Sequence, residues 1–359
     1  MGKKILPFEE NPVITSYPHY SFMCSMIQTK PNGLEWIFQT YTQLIGFTRH
    51  EDYYHDARLN FYPWAGMHDG DLWNICPYID KMIIPRRYFL QQKSRVNFVK
   101  NWINRDKYLC VYVDEFFRED IQEIGQYYHP LFIFGYDDDN QVLYCADCFE
   151  GWKYGIKQVK YTDFELASTT DFTPEVAQYA VQVYTLNDHI ITPFSIEFFK
   201  QQLHDYLMSE MQDYYLQTQY PNQIKYYPEN NRIEKVYYGI SSYDVILDII
   251  QDLQNGVTYW DAKFLLTPDF RLIRDRAELM LQRYNFLSTH FNFEKNEILV
   301  KQLQEQVQAA MILENLLLKF VVSNRIALLD KIKNKLLCFI EQEKNITQQL
   351  LHQLGGIYD

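Results

Sequence analysis

Glycine and proline are scarce, thirteen of each in 359 residues, so long low-complexity linkers and collagen-like segments are excluded. No window holds eighteen uninterrupted apolar residues, and no membrane span is expected. The start, Met1-Gly-Lys-Lys-Ile-Leu-Pro7, lacks the long apolar stretch of a secretory signal, and Leu6 stands where a myristoylation motif needs Ser or Thr. No Walker or dinucleotide glycine pattern occurs. No repeat with a period of about 20–50 residues is found, which excludes a solenoid. Positive charge is also short: 34 Lys+Arg against 46 Asp+Glu leave a net −12. A field of that sign repels nucleic acid and anionic membrane, so neither is an expected partner.

Aromatic side chains are abundant instead, with 30 Tyr, 24 Phe and 6 Trp. Such a chain buries a large core, and each buried tyrosine hydroxyl then needs a partner. Six cysteines in a chain without an export signal read as reduced thiols of a cytoplasmic protein. Cys145-Ala-Asp-Cys148 has no second cysteine pair or nearby histidine at ligand spacing, so no metal is expected there. Asp137-Asp-Asp-Asn140 reads as a hairpin turn, since the alternation and terminal Glu of a calcium loop are missing. His50, His55 and His68 stand beside acids, at irregular spacing in a loop-like stretch, and read as solvated surface.

The period of the apolar pattern changes along the chain. Leu34, Ile37, Phe38, Tyr41 and Leu44 recur at helical spacing, so a helix is expected over 33–46 after Pro31-Asn32-Gly33. A basic amphipathic helix is expected over 94–104. Strands follow at Tyr108–Val113, Leu131–Phe134 and Gln141–Ala146, the last two as a hairpin, then at Lys157–Tyr161 with a short helix over 163–167. Beyond about residue 190 the pattern is helical: 195–214, 243–253, 268–286 and 293–353, with a break at Ser323-Asn324. The expected organisation is an α+β domain over 1–170, a connecting segment over 171–192 and an α-helical domain over 193–359.

Charge is unevenly spread. From Lys81 to Lys107, eight bases face one acid, Asp106, so this segment carries +7 and the remainder −19. One reading is a solvated helix face; the other is a docking patch for an acidic partner, with Arg86, Arg87, Lys93, Arg95 and Lys100 at its centre.

The stretch from Tyr127-Tyr-His129-Pro through Gly135-Tyr-Asp-Asp-Asp-Asn140 to Cys145-Ala-Asp147 carries the chemistry. A histidine opens one strand and an aspartate closes the next. In an antiparallel hairpin those ends lie side by side, so the carboxylate can orient the imidazole and stabilise its charged form.

With a cysteine about a hundred residues earlier, this arrangement resembles the papain-like architecture of bacteriocin-processing cysteine peptidases. It is more closely similar to the butirosin biosynthesis protein H family. The resemblance covers roughly 15–170 through Val111-Tyr-Val-Asp114 and the His129 to Asp147 hairpin. Tyr238-Gly-Ile-Ser-Ser-Tyr-Asp-Val-Ile-Leu-Asp248 is similar to that family's second region. A related likeness is to the amidotransferase of closthioamide-type polythioamide assembly.

The resemblance implies a papain-like cysteine protease fold with a helical C-terminal domain, and a Cys–His–Asp triad. No bound cofactor is implied. The acyl donor would be a phosphopantetheine thioester on an acyl or peptidyl carrier protein. The acceptor would be a small-molecule amine, and the product an amide of nonribosomal natural-product biosynthesis. Carried over, His129 is the base, Asp147 its orienter and Cys24 the nucleophile, with His19 or Ser21 as side-chain donors to the oxyanion. Two departures stand out. No Gln precedes the cysteine, and Pro31-Asn32-Gly33 interrupts the helix that follows it. Cys24 as an inert core thiol and Cys76 as nucleophile therefore stay open. So do a peptidase or thioester hydrolase, a catalytically inactive binding module, and a homodimer.

Overall fold

The computed structural model describes residues 2–51, 54–62, 76–115, 128–149, 153–171, 180–187, 189–210, 233–257, 262–291 and 294–355. In chain order its elements are β1 (Lys3–Ile5), α1 (Pro18–Ile27), α2 (Gly33–Thr40), β2 (Gln43–Glu51), β3 (Tyr54–Tyr62), β4 (Ile79–Ile84), α3 (Arg86–Leu90), α4 (Arg95–Ile103), β5 (Lys107–Asp114), β6 (Tyr128–Asp137), β7 (Val142–Cys148), β8 (Tyr154–Lys160), α5 (Tyr161–Ala167) and β9 (Val181–Leu186). Then come α6 (Ile196–Met208), β10 (Ile233–Tyr238), a 3-10 turn (Gly239–Tyr243), α7 (Asp244–Gln254), α8 (Ala262–His290), α9 (Glu297–Ser323) and α10 (Ala327–Gln353). The architecture is α+β, with antiparallel sheets and a helical C-terminal half.

The expected linear division is not the one the contacts make. One unit is Met1–Leu34 with Ala65–Thr192, and the other is Glu35–Trp64 with Pro193–Asp359. Residues 35–64 join the C-terminal half because β2 pairs with both β3 and β10, giving the order β10-β2-β3. The helix expected over 33–46 stops at Thr40, where the chain turns into β2. The segment expected to connect the domains, 171–192, carries β9, which lies between β4 and β5.

The first unit is a seven-stranded antiparallel sheet in the order β4-β9-β5-β6-β7-β8, with β1 continuing along β6 beyond β5. Alternation assigns its two faces. One carries Phe132, Cys110, Ala146, Cys148 and Tyr154, by the pairs Cys110↔Phe132, Phe132↔Ala146 and Cys148↔Tyr154. There α1 docks: Phe22 stacks on Phe132 at 4.7 Å, and Ser25 shares a 2.9 Å hydrogen bond with Tyr154. The other face carries Val111, Val113, Leu131, Ile133, Cys145 and Asp147. A bulge between Ile133 and Gly135 brings Tyr136, opposite Leu143, onto this second face, where its hydroxyl donates to Asn104 just beyond α4. Thus α1 and α4 sandwich the sheet.

Local chemistry fixes the ends of these elements. Pro18 opens α1, where its fixed φ suits the first turn. Ser94 caps α4 by accepting from the Asn97 N–H, and Glu165 from α5 adds a second cap. Its carboxylate accepts from the Ser94 hydroxyl at 2.7 Å and from the N–H groups of Arg95 and Val96 at 3.2 and 3.0 Å. After α1, a Cβ at Gly33 would stand 2.0 Å from the Ile27 carbonyl oxygen, so only glycine fits.

In the second unit α8 lies against α9, and α9 against α10. Asn296 caps α9 through the N–H groups of Ile298 and Leu299, and left-handed Asn324 ends it, at the break expected from sequence. By length and composition alone α9 could cross a membrane. In this unit its Leu303, Ala310, Leu313 and Leu317 are core residues, and its Glu314 pairs with Arg271 and Arg274.

Candidate functional site

The hairpin brings His129 and Asp147 together. His129 Nδ1 lies 2.7 Å from Asp147 Oδ2, and Asp147 is fully buried. The other carboxylate oxygen accepts the Cys148 N–H at 2.6 Å, which fixes the rotamer. With Nδ1 engaged by the carboxylate, Nε2 is the nitrogen that would exchange a proton with a substrate.

A third group completes the cluster, and it was absent from the expected set. Glu115, fully buried, follows β5 two residues after Val113, which pairs with His129. A ring nitrogen of His129 and a carboxylate oxygen from each of Glu115 and Asp147 lie within 4.8 Å of one another. The signal was legible: an acid continues the buried Val111-Val113 face of a strand one step past its end.

Cys24 is the seventh residue of α1 and fully buried, on the helix whose Phe22 and Ser25 dock on the Phe132 face. Both Cys24 and Asp147 act electrostatically on Tyr154, the partner of Ser25. At the seventh helical position its N–H serves the helix itself, so it does not donate to an oxyanion. The partial positive charge of the helix start is likewise two turns away. The helix α1 begins at Pro18, six residues before the cysteine, rather than at it.

The side-chain oxyanion donors are committed too. The Ser21 hydroxyl donates to the Tyr17 carbonyl at 3.0 Å, inside the helix. His19 is half-buried as a residue, but both ring nitrogens are sealed from solvent and make no hydrogen bond with any described residue. Burial holds its pKa down at about 3, so it is a neutral ring tilted against Tyr20 rather than a charged donor.

The other cysteines are core thiols. Burial pushes the Cys76 thiol far up, which opposes its use as a nucleophile. Burial raises Cys145 as well, helped by Asp147 and Glu115, and pushes Cys110 up to about 12. Cys145 and Cys148 project to opposite faces of β7, so they cannot share one ion. The Asp137 carboxylate is used by its turn, accepting from the Asp139 and Asn140 N–H groups at 3.0 and 3.1 Å and pairing with Lys3. The side chains of His50 and His55, and all of His68, lie outside the described residues.

The basic segment is mostly architecture. Arg86 is buried and donates to the carbonyls of Tyr112, Ser168 and Thr170, so it is not a docking residue. Arg95 pairs with Glu165 at 3.0 Å, and Lys100 pairs with Asp138 and sits over the Tyr136 ring. Arg87 and Lys93 are exposed, and exposed Met82, Ile83 and Tyr88 lie close by in the chain, on and after the outer strand β4.

Compared with known proteins, the chain matches no family model, and no curated protein matches it.

Proposed function

We propose that this α+β protein has a papain-like fold and forms amide bonds by moving an acyl group from a carrier-protein phosphopantetheine thioester to an amine. The observation that carries the reading is the 2.7 Å contact between His129 and Asp147, buried at the end of a hairpin. The resemblance of that hairpin to the butirosin biosynthesis protein H family supplies the substrate class.

Transfer runs through an acyl-enzyme on Cys24 or directly from thioester to amine, and in both routes His129 is the base and Asp147 its orienter. In the direct route His129 Nε2 takes a proton from the amine as its nitrogen attacks the thioester carbonyl. Asp147 stabilises the imidazolium through Nδ1. Collapse of the tetrahedral intermediate breaks the C–S bond, and the imidazolium returns its proton to the departing thiolate. Amide and free phosphopantetheine thiol result. The acidic carrier would dock on the exposed bases Arg87 and Lys93.

A second reading rests on the absence of a Gln before the cysteine: a catalytically inactive papain-like protein serves as a binding module. Intact-protein mass spectrometry during incubation with a loaded carrier protein and an amine separates the readings. Direct transfer predicts amide product with no acyl mass on the chain. An acyl adduct indicates the covalent route, free acid alone a hydrolase, and no turnover the binding module.

A further inference from the structure

We propose that Glu115 is a positioning residue for His129, and that two carboxylates rather than one hold this imidazole in its charged form at rest. Three independent features converge on it. Alternation along β5 puts Glu115 on the same sheet face as Val113, the residue paired with His129. Its carboxylate lies within 4.8 Å of the His129 and Asp147 ligand atoms. Both acids are fully buried, where solvent screens little and an opposite charge at this range strongly favours the protonated ring.

The groups facing His129 come from each neighbouring strand. Asp147 and the neutral thiol of Cys145 come from β7 and Glu115 from the end of β5, while Tyr128, next to His129 on β6, projects to the other face. On β8 the residue opposite Asp147 is Gly155, which offers no side chain. The described groups thus supply two negative charges and one imidazole. If both acids are ionised, a singly orienting carboxylate would leave the ring neutral near neutral pH more readily than this pair does. The consequence for the proposed reaction, on which this part alone rests, is that His129 becomes a base above neutral pH, so transfer accelerates as pH rises.

The test needs no substrate, so it can fail or succeed independently of the acyl-transfer reading. The His129 ring resonances of the full chain are assigned by their loss in His129→Gln and followed against pH. Glu115→Gln is expected to move the titration midpoint down by about one pH unit, a tenfold change in protonation. Glu115→Asp, which keeps the charge, is expected to restore most of it. An unchanged midpoint in folded Glu115→Gln overturns the proposal, because it means Glu115 is already a neutral acid. Should that variant not fold, Asp147→Asn gives the same decision. With Glu115 ionised the midpoint stays at or above that of an ordinary histidine, and a midpoint below it contradicts the assignment.

Discussion

The two units bury charge in opposite ways. In the C-terminal unit, buried arginines tie elements together. Arg276 on α8 donates to Glu343 of α10 at 2.7 Å and to the Thr42 carbonyl, and its guanidinium stacks 3.8 Å from the Tyr206 ring. Glu343 also accepts the Tyr243 hydroxyl at 2.6 Å. Two turns along α8, Arg283 donates to the Phe38 and Tyr41 carbonyls, at and just past the C-terminal end of α2. Each guanidinium meets a carboxylate or the negative end of a helix. In the N-terminal unit the cluster of Glu115, His129 and Asp147 has two acids for one titratable ring. A network in which each guanidinium meets a carboxylate or carbonyls serves architecture, whereas two acids around one imidazole can hold and move a proton.

Breaking the arginine network should cost most. Arg276→Met leaves Glu343 buried beside an apolar chain, and a stability loss of about 3–5 kcal/mol is expected in urea unfolding followed by circular dichroism. In the two-acid cluster, Asp147→Asn keeps an acceptor for the Cys148 N–H and loses only the charge, so the loss should be smaller, about 1–2 kcal/mol. A stability cost as large as that of Arg276→Met would erase the distinction between the two networks.

A third variant concerns pH. His19 is held neutral by burial, with a folded pKa of about 3 against an ordinary 6.5. The unfolded chain therefore binds a proton first as pH falls, and stability contributed by the neutral ring is present above about 6.5 and lost between there and about 3. The slope from this residue is about 1.4 kcal/mol per pH unit within that window. His19→Phe should flatten acid unfolding over the same range; an unchanged slope would mean the ring is protonated in the fold. The smallest effect is expected for Cys24→Ala, about 1 kcal/mol of packing.

The pattern of the sequence located the His129–Asp147 couple because a hairpin's register follows from its turn, and both residues sit within nineteen positions of one another. The break at Asn324 was legible for a similar reason, since a left-handed cap is a local event. What escaped was non-local. The strands β2, β3 and β9 carry no alternation strong enough to outvote their neighbours; β9 pairs with β4 and β5, and β2 with β10, far along the chain, while the β2–β3 pairing is local. The expected helix over 33–46 kept its apolar period through Leu44, yet residues 43–51 become a strand once β3 and β10 flank them. Spacing along a chain also does not say which face of a sheet a helix covers; for α1 that is decided by Phe22 meeting Phe132. The basic segment misled in the same way, since Arg86 and Arg95 serve carbonyls and Glu165 rather than a partner.

The central claim is that the His129–Asp147 couple carries the chemistry. It is tested most directly by comparing amide formation by His129→Gln and wild-type proteins, given an acyl-loaded carrier protein and an amine. The account predicts a rate at least about a hundredfold lower for His129→Gln. An undiminished rate in folded His129→Gln would contradict it.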